Sequence, residues 1–203
     1  MNKIELKNKN ASISIDLLGA WIENWKVDKQ DIFLPKQVMK NGKTRGGCHV
    51  CYPNFDSGGE TNLPHHGFGR ISEWDAFEKT ETSAKLKLQT PAEFKDYENV
   101  EAILEIELFP RSLRMLLKLR NNGESSVPIA PAFHPYYDLA VFKKDILTHK
   151  QENLPKTTLW SGKEADYICV EPSFNGFAFK KNEAKSFGPN ETMEFALEIF
   201  IED

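Results

Sequence analysis

The chain predicts an all-β fold, a sandwich or barrel of antiparallel strands, and three observations carry that expectation. Apolar and polar residues alternate with a period of two wherever a pattern is legible, as half-buried strands require. Turn signals punctuate these runs at short intervals: Asn41-Gly42, Ser57-Gly58-Gly59, Asn121-Asn122-Gly123, Ser161-Gly162 and Gly188-Pro189. No long amphipathic helix interrupts them.

Strand signals are weaker near the N-terminus, over residues 4–6, 12–16, 21–27, 74–79 and 85–89. The cleanest signal is central. Val100, Ala102, Leu104, Ile106 and Leu108 alternate with mostly acidic partners, Phe109-Pro110-Arg111-Ser112 turns the chain, and Leu113, Met115, Leu117 and Leu119 return it. A last strand sets Met193, Phe195, Leu197, Ile199 and Ile201 against Glu194, Glu198 and Glu202. Residues 151–164 are the least patterned and read as a long surface connection. With no internal repeat, low-complexity tract or linker, residues 1–203 are expected to form a single domain.

Composition narrows the function classes. The net charge is −4 and the Lys and Arg residues are scattered, so the basic footprint of a nucleic-acid binder is missing. No apolar run approaches the roughly 20 residues of a membrane span, and the start, MNKIELKNKNASIS, is polar where a signal peptide has an apolar core; a cytoplasmic protein with no membrane contact is the expectation. Three cysteines, an odd number, read as free thiols.

Residues 126–140, SVPIAPAFHPYYDLA, hold His134 among Pro128, Pro131 and Pro135, and prolines fix their own φ and restrict the residue before them. Such a backbone suits a side chain that must be aimed, although a histidine that merely satisfies a neighbour fits the pattern equally. Glu171, in VEPSFNGF, is likewise preceded by a strand-like run and followed by proline, which places both residues at strand ends. A histidine and a carboxylate suit proton transfer across a small polar molecule. Taken alone, Glu171 also reads as a solvated strand-end carboxylate.

The segment 45–70, RGGCHVCYPNFDSGGETNLPHHGFGR, raises the question of a metal. Cys48 and Cys51 have zinc-like spacing, with His49, His65 and His66 nearby. CHVC reads as a strand, however, and strand residues three apart point to opposite faces, so no metal site is expected there. The c-type haem pattern fails at Tyr52, and the glycines lack the Lys-Ser/Thr ending of a phosphate-binding P-loop.

Four stretches in order, RGGCHVCYPNF, LPHHGFGRISEW, NNGESSVPIAPAFHPYYDLA and YICVEPSFNGF, resemble the aldose 1-epimerase (galactose mutarotase-like) superfamily, and in particular its glucose-6-phosphate 1-epimerase-like branch. The resemblance implies a galactose mutarotase-like β-sandwich and interconversion of the α and β anomers of a hexose or hexose 6-phosphate, without metal or organic cofactor. It makes His134 the general acid, Glu171 the general base, His66 a contact to the sugar, and Arg45 a holder of the phosphate. In the implied reaction Glu171 takes the anomeric hydroxyl proton, His134 protonates the ring oxygen, and the opened aldehyde recloses on its other face. Only 36 residues separate His134 from Glu171, a shortened interval in which Asp138, Asp145 and Asp166 match no motif for the sugar-holding aspartate of the family. A second copy of the chain could therefore complete the cleft as a homodimer. The alternative function is a carbohydrate-binding relative that keeps both positions without catalysis.

Overall fold

The computed structural model describes residues 2–162 and 165–202. Its strands, in chain order, are β1 (Lys3–Lys7), β2 (Ala11–Asp16), β3 (Trp21–Val27), β4 (Gln30–Asp31), β5 (Gln37–Val38), β6 (Thr44–Arg45), β7 (Cys48–Cys51), β8 (Trp74–Lys79), β9 (Ser83–Leu88), β10 (Val100–Leu108), β11 (Ser112–Asn121), β12 (Val127–Ile129), β13 (Ala132–Asp138), β14 (Leu147–Glu152), β15 (Lys156–Trp160), β16 (Tyr167–Ser173), β17 (Lys185–Phe187) and β18 (Thr192–Ile201). One four-residue helix, α1 (Leu139–Phe142), is capped by the Asp138 carboxylate, which accepts from the backbone N–H groups of Ala140 and Val141. Among the described residues no helix is long and apolar enough to cross a membrane.

Two antiparallel sheets carry the fold. The larger runs β1-β2-β3-β7-β13-β16-β15, with β4 added on β3, and the smaller runs β14-β18-β11-β10-β9-β8. Strict alternation explains the smaller sheet. Leu104 and Ile106 of β10, Met115 and Leu117 of β11, and Phe195 and Leu197 of β18 lie buried on its inner face. Its outer face pairs Glu105 with Lys118 at 2.9 Å and Glu107 with Arg114 at 3.1 Å. Such solvent-exposed pairs fix register more than they stabilise, at about 0–1 kcal/mol each. The two inner faces share one apolar core that reaches from Ile13 and Trp25 to Phe187 and Ile199.

The central strands β7, β13 and β16 of the larger sheet are covered on both faces, and this decides where the site lies. In β13, Phe133 and Tyr137 enter the inter-sheet core, while Ala132, His134 and Tyr136 point the other way and are buried too. The loops around residues 34–47 and 53–72 roof that outer face. They leave an open cavity of ≈ 620 Å³, lined among others by Trp21, Arg45, His66, His134, Trp160 and Glu171.

Two expectations need correction. Much of residues 151–164 is not surface connection: β14 joins the smaller sheet beside β18, and β15 forms an edge of the larger sheet on β16. Lys163 and Glu164, at the end of that stretch, lie outside the described residues. His134 and Glu171, moreover, do not sit where strands end. Pro135 and Pro172 both lie inside strands, since β13 continues to Asp138 and β16 to Ser173. Each proline lacks an N–H, so the β13–β16 ladder is bonded at Ala132↔Ser173 and again at Tyr136↔Cys169, with a gap between.

Candidate active site

Register builds the site. The pairs Ala132↔Ser173 and Tyr136↔Cys169 set His134 directly opposite Glu171 across the proline-made gap. On the other side of β13, His134 is the cross-strand partner of His49 in β7, and on the far side of β16, Glu171 is the partner of Thr158 in β15. Trp21 of β3 extends the row, its ring 4.5 Å from that of His49. Five side chains from five neighbouring strands thus stand in one line on the outer face.

His134 and Glu171 form the centre of this row. His134 Nε2 and Glu171 Oε1 are 3.0 Å apart, with both residues buried. The other imidazole nitrogen, Nδ1, is buried without a hydrogen-bond partner, so the ring is aimed by packing. His49 stacks on it at 4.8 Å and 28°, Tyr136 at 4.7 Å and 21°, and His66 meets it edge-on at 4.8 Å.

His66 is delivered by the roof loop with a φ of 62°, a left-handed conformation rarely adopted outside glycine. Reciprocal hydrogen bonds hold it there. The backbone N–H of His66 donates to the Asp56 carbonyl at 2.7 Å, and the Asp56 N–H donates to His66 Nδ1 at 3.1 Å. The ring proton therefore resides on Nε2. Burial, ahead of Coulombic effects from neighbouring His134, pushes the His66 pKa down to about 2, so this imidazole stays neutral and can donate. Burial lowers His49 as well, ahead of Coulombic effects from its neighbours, the Arg70 guanidinium among them.

Arg45 ends β6 on the cavity wall, its guanidinium 5.4 Å from the ring centre of Trp160 and donating to the Thr44 carbonyl. The two glycines after it serve the scaffold. Their missing side chains face protein backbone: a Cβ on Gly46 would stand 2.4 Å from the Pro35 carbonyl oxygen, and one on Gly47 2.1 Å from that of Ile22. These are not openings for a ligand.

The cysteine pair separates as a strand dictates. Cys48 turns into the core against Met115, whereas Cys51 packs on the outer face with Phe55 and Ala132. The third thiol, Cys169, is buried two residues before Glu171 and on the same face.

The family model for aldose 1-epimerase matches residues 2–155. The chain belongs to the aldose 1-epimerase family. Solved structures agree in fold: the galactose mutarotase-like protein of Lactobacillus casei ATCC 334 has a TM-score of 0.81 at 13% identity over 98% of this chain and 100% of that one. The Slr1438 protein of Synechocystis sp. PCC 6803 has a TM-score of 0.80 at 17% identity over 98% and 95%. The galactose 1-epimerase of Lactobacillus acidophilus NCFM has 0.69 at 14% identity over 98% and 94%. No curated protein sequence matches the chain.

All four residues singled out in the sequence, His134, Glu171, His66 and Arg45, line the same cavity in this aldose 1-epimerase family member. Sequence reasoning did not assign Asp56, Arg70, Lys43, Trp21, Tyr136 and Trp160 to it, although they line it as well. Arg70 closes the HGFGR stretch, which could have drawn notice; Trp160 lay in the segment read as patternless. Of the aspartates between His134 and Glu171, Asp138 is committed to capping α1, and Asp145 and Asp166 are not among the cavity-lining residues.

Proposed function

We propose that the chain catalyses interconversion of the α and β anomers of a hexose or hexose 6-phosphate. The observation that carries this reading is the buried His134–Glu171 pair, opposed at 3.0 Å in a cavity of a size that suits a monosaccharide. Anomer exchange moves one proton onto the ring oxygen and one off the anomeric hydroxyl, two oxygens on the same carbon. A donor and an acceptor a hydrogen bond apart are spaced for that task. Glu171 accepts the hydroxyl proton, His134 supplies one to the ring oxygen, the C–O bond opens, and rotation and reclosure return both protons. Until sugar arrives, each group is the partner of the other, and the substrate takes over their hydrogen bonds.

His66, neutral with its proton on Nε2, donates to a ring or hydroxyl oxygen. Asp56, held in the same loop with its carboxylate 3.4 Å from His65 Nδ1, is a second carboxylate of the lining that sugar hydroxyls can reach. Arg45, with Lys43 and Arg70 on the same lining, supplies the cationic side of the cavity that a phosphate would meet. Polarimetry or exchange NMR on α-glucose, α-galactose and their 6-phosphates tests the reading. Catalysed mutarotation of any of them supports it, and sugar binding without acceleration would point instead to a carbohydrate-binding relative.

A further inference from the structure

Beside the acid/base pair lies a buried thiol, Cys169, that anomer exchange does not use. One ligand atom each of His134, Cys169 and Glu171, all three residues buried, lie within 4.8 Å of one another. The strand period puts Cys169 and Glu171 on one face of β16, and the ladder gap at Pro135 and Pro172 sets His134 across from them.

From this geometry we propose that His134, Cys169 and Glu171 form a binding site for a borderline-soft divalent cation, Zn²⁺ foremost, which occupies the place of the transferred protons and acts as an inhibitor rather than a resident cofactor. The donor set of imidazole, thiolate and carboxylate is one that zinc takes and that magnesium and calcium do not. Two nitrogen or oxygen ligands at 2.0–2.1 Å from a tetrahedral zinc stand about 3.3 Å apart. His134 Nε2 and Glu171 Oε1, at 3.0 Å, need to open by only a few tenths of an ångström. His134 and Glu171 line the cavity and provide the entry path, and water from the cavity would complete the coordination. No acceptor holds His134 Nδ1, and metal-bound histidines usually have one, so the ion is held less tightly than a structural zinc and exchanges readily. The zinc-like spacing of Cys48 and Cys51 contributes nothing, because their side chains lie on opposite faces of β7.

Chelator-treated protein titrated with Co²⁺, and then with Zn²⁺, tests the site without any sugar present, so the outcome is separate from whether the chain turns over an aldose. One Co²⁺ per chain should bind with a thiolate-to-cobalt charge-transfer band in the near ultraviolet, and Zn²⁺ should abolish the band by displacement. Cys169→Ser should lose the band, while Cys51→Ser keeps it. Should Cys169→Ser not fold, calorimetry with ZnSO₄ carries the test, since Glu171→Gln and His134→Asn should each weaken binding at least tenfold. A protein that shows no charge-transfer band, a band that survives in Cys169→Ser, or zinc affinity unchanged in Glu171→Gln and His134→Asn overturns the proposal.

Discussion

Among the described residues, the side chains of His134 and Glu171 have no polar side-chain partner besides each other. Groups acting in one proton-transfer step give non-additive losses when removed. Glu171→Gln and His134→Asn are each expected to lower the turnover of mutarotation by about 100-fold or more, with the double variant little worse than either, as measured by exchange NMR. Wild-type turnover in folded Glu171→Gln would remove Glu171 from the reaction. His66→Ala should differ in kind, raising KM as well as lowering kcat, because its role is contact. Arg45→Ala should erase any preference for hexose 6-phosphate over hexose in calorimetric titration; equal affinities in the wild type would show that Arg45 serves only to pack against Trp160. Proline neighbours drew attention to His134 and Glu171 in the sequence, but for a different physical reason than the one at work. The prolines remove ladder hydrogen bonds inside two strands and so open the gap across which these residues meet.

At the scale of elements, the β6–β7 connection sets the position of His49 and, through stacking, of His134. Gly47 has a φ of 66° and lies against the Ile22 carbonyl, close to the point where β3 meets β7 at Ile22↔Cys48. A methyl group there must push β7 away from β3 while the residue keeps a left-handed backbone. Gly47→Ala should therefore cost about 2 kcal/mol or more in urea denaturation and reduce activity, although Gly47 itself does not line the cavity. Stability and turnover both unchanged would mean that the junction yields freely. The paired glycines were legible as turn formers, yet which backbone they press against was not, because Pro35 and Ile22 meet them only through tertiary contacts.

For the molecule as a whole, buried histidines couple stability to pH. His49 and His66 are held neutral in the folded chain, by burial first and by the neighbouring positive charges second, whereas in the unfolded chain each takes up a proton near the ordinary value of 6.5. Below 6.5 the unfolded state therefore binds more protons, and stability rises with pH until both sites are neutral in either state. Each group can contribute up to about 1.4 kcal/mol per pH unit below 6.5. Denaturation midpoints should fall from pH 7.5 to pH 5, and the fall should be shallower in His49→Gln. A midpoint that is flat over this range would show that the imidazoles gain protons in the folded state. The same burial that creates this sensitivity packs His49 against the proposed acid, so acid lability and the aiming of His134 share one cause.

Alternation alone was sufficient to place the β10–β11 hairpin and β18, because a sheet with one solvated face writes its burial into the sequence as a period of two. The same period of two puts Cys48 and Cys51 on opposite faces of their strand. The centre of the larger sheet is buried on both faces, so β13 reads as an unbroken run, AFHPYY, in which no period tells the core side from the cavity side. Only the packing of the two sheets decided that Phe133 and Tyr137 face inward and His134 outward. Only the pairing of strands distant in the chain set Trp21, His49, His134, Glu171 and Thr158 in one row. Residue types and turns are local properties of the chain, whereas which face is roofed and which residues stand opposite are long-range choices, made by the inter-sheet core and by backbone hydrogen bonds that carry no side-chain signature.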